Sequence, residues 1–225
     1  RVADAYENMK HDPFNPAVQK AYKAMADETL AQYQVVKDAG YTMEMIRADM
    51  DPPYTSPREA LEDLSNNKHL WIYPTDFGYG PDAVKALDPA TNPLLAFSDE
   101  VDVGGTPMRI NDVFRAVHDF FGHGIEGTGF RGRGEENAWI AHSQLYSDAA
   151  LPAVTSETRG QNSWVNYGPH GEANQTAKEA TTVFPEQKIG LMPPWTWKRV
   201  EQPPDIDATK VAPEPAPPSA GFFNE

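Results

Sequence analysis

The sequence predicts a mostly helical α+β fold, and three observations predict it. One long stretch keeps helical phase from Asn15 to Gly40, three more do so between residues 112 and 166, and only short alternating runs lie between them. At 225 residues, 40% of them hydrophobic, the chain is long enough to bury one sizeable core. A single globular domain over 1–200 with an extended tail over 201–225 is therefore expected, the site region lying within 110–170.

The elements follow in order. Asn15 reads as a helix N-cap and Pro16 as the first helical residue, and Val18, Tyr22, Met25, Tyr33 and Val36 hold one face until Gly40. Residues 41–46 (Tyr-Thr-Met-Glu-Met-Ile) alternate as a strand does. Ser56-Pro57 opens a short helix through Leu64, and 69–73 is a second strand. From Pro74 to Pro93 the chain is rich in Gly, Pro and Asp, which predicts an irregular connection with one helical turn near Ala83–Leu87. Leu94–Phe97 and Thr106–Ile110 are expected to pair across Gly104-Gly105, and Asn111-Asp112 to cap a helix over 112–122. Helices over 135–147 and 149–166 follow. The tail from Pro203 to Pro218 holds six prolines in sixteen residues, a composition that builds no core and predicts an extended segment. No internal repeat is found.

Composition narrows the function classes. With 19 Lys+Arg against 33 Asp+Glu the formal net charge is −14, which argues against a surface that coats nucleic acid, since phosphate binding relies on clustered Lys and Arg. No cysteine is present, so thiolate nucleophiles, disulfides and Cys-ligated metals are excluded, and any metal must use His and carboxylates. No run of 18 apolar residues occurs and no signal peptide opens the chain, so no membrane partner and a cytoplasmic or virion-associated location are expected. An initial Arg in place of Met suggests a processed product or a piece of something longer.

Of the six histidines, at 11, 69, 118, 123, 142 and 170, three fall within 25 residues beside several carboxylates. In 111–123, Val113, Phe114, Val117, Phe120 and Phe121 form the stripe of a buried helix with His118 at its edge. His123 would lie about 140° away on a regular helix. Gly122, just past the last helical residue, is expected to let the chain turn so that His123 swings back toward His118. The alternative is two partly buried histidines bonded to the backbone.

A third ligand would decide between these. Glu157 interrupts the apolar stripe Val154, Gln161, Trp164, Val165, where an ionised carboxylate calls for a cation or a partner such as Arg159. Glu135, Glu136 and His142 stand in reserve on the preceding helix, whose inward face carries Glu135, Ala138, Trp139 and His142. Asp119, Glu136 and His142 are the candidate acid–base groups, and Arg159, Gln161 and Asn162 are candidates to orient a substrate or the ligands. Two imidazoles and one carboxylate leave coordination positions open, as non-haem Fe(II) oxygenases require, and zinc hydrolases use the same ligand types. The HExxH signature is absent.

His118-Asp-Phe-Phe-Gly-His123 resembles the His-Glu-Leu-Leu-Gly-His segment of the pterin-dependent aromatic amino acid hydroxylases, and Asp119 stands where that family has Glu. The resemblance spans about 110–166. It implies that both histidines bind iron and that a glutamate two helices later, here Glu157, completes the set. No pterin or substrate segment is recognisable. A longer stretch, including 134–139 and 157–169, also resembles a segment of tailed-phage proteins, some of them large virion proteins.

The glycine-rich loop 122–134, with two arginines, reads as an anion nest, a lid or a plain connector. Trp195 and Trp197 read as packing residues or as a plug for a partner groove. The leading expectation is an Fe(II)-dependent hydroxylase of a small molecule or side chain. The alternatives are a phage structural or assembly protein with a structural metal site or a degenerate active site, bound to other particle proteins, and a zinc hydrolase.

Overall fold

A computed structural model describes residues 1–77, 88–127, 129, 132–177 and 181–198. The fold is α+β and mostly helical, as the periodicities predict. The expected helical turn at 83–87 and the proline-rich tail lie outside the described residues.

Helix α1 (Val2–Glu7) precedes the long α2 (Pro16–Asp38), which starts as its sequence requires: the Asn15 side chain accepts a bond from the Ala17 N–H, and Pro16 occupies the first turn. Strand β1 (Thr42–Met45) is joined by α3 (Pro57–Asn67) to β2 (His69–Ile72), and the two strands pair in parallel, Met43 opposite Leu70 and Met45 opposite Ile72. Those four side chains are buried. β3 (Phe97–Val101) and β4 (Pro107–Arg109) form an antiparallel hairpin closed by Gly105 at φ 82°. Asp102 ties the hairpin to the parallel pair, since its carboxylate accepts from the N–H groups of both Met45 (3.0 Å) and Thr106 (2.7 Å). The hairpin begins later than expected. Pro93–Leu95 instead makes a 3₁₀ turn, capped by Asn92.

Helix α4 (Ile110–His118) is the axis of the core. Its Val113, Ala116 and Val117 pack with Tyr33, Val36, Leu64 and Ile72 on one side. Phe114 packs with Tyr22, Met25, Leu151 and Val154 on the other. α2 lies along α4 and supplies both clusters, each buried apolar side chain contributing about 1.5–3 kcal/mol relative to exposure. Asn111 and Asp112 do not cap the helix from outside. They lie in its first turn, where Asp112 accepts from the Arg109 N–H (2.8 Å) and from the N–H and hydroxyl of Thr75. A carboxylate at the third helical position reaches back to the N–H of the N-cap residue, the complementary half of a capping box, so Asp112 serves the helix start from inside its first turn.

The expectation that Gly122 ends this helix is also corrected. The chain continues from Asp119 to Gly124 as a π-helical turn. Gly122 serves packing instead. A Cβ there would stand 2.9 Å from the Ala138 Cβ and 3.0 Å from the Ala138 carbonyl oxygen, so its absence lets α5 (Arg133–Ser143) lie against the wide turn. The next helical stretch is α6 (Leu151–Thr155), a second π turn (Ser156–Gly160) and α7 (Gln161–Tyr167), followed by α8 (Gly171–Asn174). Trp197 packs at the core edge and donates to the Met192 carbonyl (2.9 Å), whereas Trp195 is exposed.

Replacing Gly122 with Ala should therefore push α5 off the turn and cost about 1–3 kcal/mol, the usual range for forcing an extra methyl into a packed contact. Denaturant unfolding at a fixed temperature checks this; an unchanged midpoint would show that the contact yields freely.

Candidate metal centre

The π turn brings the two histidines together. Hydrogen bonds from residue i to i+5 widen the helix, so residues five apart fall on nearly the same side, whereas on a regular α-helix they diverge. His118, the last residue of α4, and His123, inside the π turn, have ring centroids 5.2 Å apart, and both are buried. Convergence was expected, but from a chain reversal at Gly122; a local change of helical pitch produces it.

Glu135, in the first turn of α5, meets them. Its Oε2 lies 3.6 Å from Nε2 of His118 and 3.6 Å from Nε2 of His123. Among the described residues these three form the one group of His and carboxylate donors whose ligand atoms all fall within 4.8 Å of one another. Burial pushes the Glu135 carboxyl up, but the two imidazoles outweigh it and hold it down at about 2, so it is ionised at neutral pH. The Nδ2 of Asn162, from α7, donates to the same Oε2 at 2.9 Å and orients it.

The favoured third ligand of the sequence reading, Glu157, is not in this group. Its carboxylate accepts from the Tyr22 hydroxyl (2.5 Å) and from Nε2 of Gln161 (2.9 Å). The cost of placing a carboxylate in an apolar stripe is met by two neutral hydrogen-bond donors and by the charge of Arg115, not by the suggested Arg159. Burial raises Glu157 to about 7 despite these bonds, and burial with the nearby Glu157 raises Tyr22 well above the usual phenol range.

The other candidates divide as follows. Arg159 makes a bidentate pair with Glu136 (Nε to Oε2 3.0 Å, Nη2 to Oε1 2.5 Å), donates to the Thr196 carbonyl and stacks over Trp139. The pair clamps α5 to the π turn before α7, and both residues also line the second of the two clefts described below. Gln161 is shared between Glu157 and Gln187. Asp119 adjoins His118, and burial raises its carboxyl while both histidines oppose the rise. His142 is buried between Phe114, Phe121 and Tyr146, and its Nδ1 lies 3.2 Å from Nδ1 of His118. Burial, reinforced by the neighbouring imidazoles, holds His142 well below the usual histidine range, so the ring is neutral.

Sequence reasoning did not find Gln32, whose Oε1 faces Nε2 of His142 at 2.8 Å from 110 positions away. Nothing local marks it, because it sits among the ordinary polar residues of α2.

Glu135 also marks the way in. It lines a cleft of about 550 Å³ with Arg133, Asn162, Asn166, Tyr167 and Phe184, and a second of about 370 Å³ that shares Arg133, Asn162 and Tyr167. Gly132, at φ 36°, lines both clefts. Compared with protein-family models, curated proteins and solved structures, the chain matches none. Among the described residues no helix is long and apolar enough to cross a membrane.

The raised carboxyl of Glu157 gives a pH dependence with a defined sign. A folded-state value of about 7 against 4.5 contributes stability that is complete below pH 4.5 and is lost as pH rises through 7, at most roughly 3 kcal/mol. Glu157→Gln should therefore flatten the fall in stability between pH 5 and pH 8 relative to the parent protein. Paired denaturation curves at the two pH values measure it, and parallel pH profiles would refute it.

Proposed function

We propose that His118, His123 and Glu135 bind one divalent metal ion, and that the chain is a mononuclear non-haem iron protein of the hydroxylase type, acting on a small molecule or a side chain. The observation that carries this reading is the shared approach of two imidazole nitrogens to one carboxylate oxygen. Metal bonds of about 2.0–2.2 Å set neighbouring donors roughly 3–4 Å apart, and the 3.6 Å separations fit that spacing. Two imidazoles and a carboxylate suit Fe(II), which supplies dioxygen chemistry through its open positions. The His-x4-His resemblance to the pterin-dependent hydroxylases supports the same reading, with Glu135 in place of Glu157 as the carboxylate.

The chain's own residues have separable tasks. Asn162 holds Glu135 in one orientation. Phe114 and Phe121 wall the histidine side with apolar surface, keeping water from that flank. The clefts that meet at Glu135 and Asn162 give a substrate its approach, with Arg133 exposed at the rim. Zinc is the alternative ion, because the same donors bind it and a zinc-bound water would make the centre hydrolytic.

Elemental analysis and anaerobic Fe(II) titration test the reading. The parent protein should take up one equivalent. His118→Ala, His123→Ala and Glu135→Ala should lose tenfold to several hundredfold in affinity, while Glu157→Gln binds as the parent does. Oxygen uptake with a reductant should follow iron content. Absence of stoichiometric metal, or loss of binding in Glu157→Gln with Glu135→Ala unaffected, overturns the assignment. Tight zinc with no iron uptake favours the hydrolase.

A further inference from the structure

The two clefts that meet at the centre share Gly132, Arg133, Glu135, Asn162 and Tyr167, so a molecule entering by either one passes the same four side chains. Two of these are already engaged: Glu135 faces both imidazoles and accepts from the Asn162 amide. The other two are donors. Among the described residues neither the Arg133 guanidinium nor the Tyr167 hydroxyl has a hydrogen-bond or ion-pair partner, whereas Arg159, in the smaller cleft, is matched to Glu136. The two lie at one place in the wall, since the Tyr167 hydroxyl stands 3.8 Å from the point that a Cβ on Gly132 would occupy, and Arg133 is the next residue along. Glu135 is the one carboxylate among the described lining residues of the larger cleft, so no acid there competes for the guanidinium.

We infer that the molecule acted on carries an oxyanion, a carboxylate or a phosphate ester, which the Arg133 guanidinium and the Tyr167 hydroxyl grip while the rest of it reaches toward Glu135. The inference rests on the metal-centre reading for the reaction, whereas the anion site stands on Arg133 and Tyr167 alone. A guanidinium fork matches two oxygens of one carboxylate or phosphate, and a neighbouring hydroxyl supplies a further donor. The charge pattern points the same way. A chain of net charge −14 repels anions over most of its surface, so a cation left unpaired beside the centre selects for them locally. A divalent ion held by Glu135 would more than offset that carboxylate and leave the shared part of the clefts positive. The larger cleft, about 550 Å³, has the size of a small-molecule site, and Val165 and Phe184 give it apolar wall for the uncharged part of such a molecule.

Hexanoate, hexyl phosphate and the uncharged hexanamide, each titrated into the ¹⁵N-labelled protein with and without Zn(II), test this through the amide shifts of Arg133, Asn162 and Tyr167. At least one oxyanion should bind in both states, about tenfold or more tighter than hexanamide, and the better of the two separates a carboxylate from a phosphate ester as the group recognised. Arg133→Gln should weaken that binding about tenfold to a hundredfold, and Arg133→Lys, which keeps the charge without the fork, should weaken it less. Hexanamide binding as tightly as both oxyanions overturns the inference. So does an Arg133→Gln protein that is folded by its amide spectrum and binds the oxyanions as the parent does. Oxyanion binding that requires Zn(II) and ignores Arg133 is coordination to the ion and overturns it as well. Absence of Zn(II) and Fe(II) uptake with Arg133-dependent oxyanion binding intact would overturn the metal centre while leaving the anion site supported.

Discussion

The site depends on one widened turn of helix. α4 arrives with a strongly apolar stripe that the core holds on two sides, and His118 is delivered at its end with little freedom. Had the helix kept its pitch, His123 would point elsewhere; the i+5 hydrogen bonding of Asp119–Gly124 turns it back onto the same side. Such a turn needs something to hold it, and the close seat of Ala138 on Gly122 presses α5 against it. The same contact sets Glu135, one turn before Ala138, opposite the two imidazoles. Pitch, packing and ligand placement are thus consequences of one local geometry.

The chain solves the problem of buried carboxylates in two different ways. Glu135 is ionised because two imidazoles and the Asn162 amide converge on it, and an anion held that way is suited to share a cation. Glu157 meets a hydroxyl and an amide, and burial keeps it largely able to hold a proton near neutrality. Both glutamates lie near the start of a helical turn, both face inward, and both were visible as breaks in an apolar pattern. What separates them is the charge of the surrounding donors, a property of neighbours brought from other elements.

The layer behind the imidazoles matters as much as the three groups that converge. His142 is flanked by aromatic rings and meets α2 through Gln32, so the longest helix among the described residues both builds the core and backs the histidines. Arg159 and Glu136 act in a similar mechanical sense, locking α5 to the segment before α7 beside a stacked Trp139.

Much of this was legible in the residues alone. The phase of Val18, Tyr22 and Met25, the Asn15-Pro16 start, the alternation of Met43 and Met45 and the stripe of Val113 through Phe121 each reflect a periodicity that repeats within a few residues, and local periodicity determines which face is buried. The His-x4-His spacing belongs to the same class of signal. The tertiary structure alone decided that Asp112 works from inside the helix, that Gly122 is a packing point instead of a terminus, that Glu135 and not Glu157 joins the histidines, and that Gln32 stands behind His142. Each of these turns on how helices distant in sequence cross one another, and the spacing of side chains along one helix carries no information about which atoms another helix will bring to meet them.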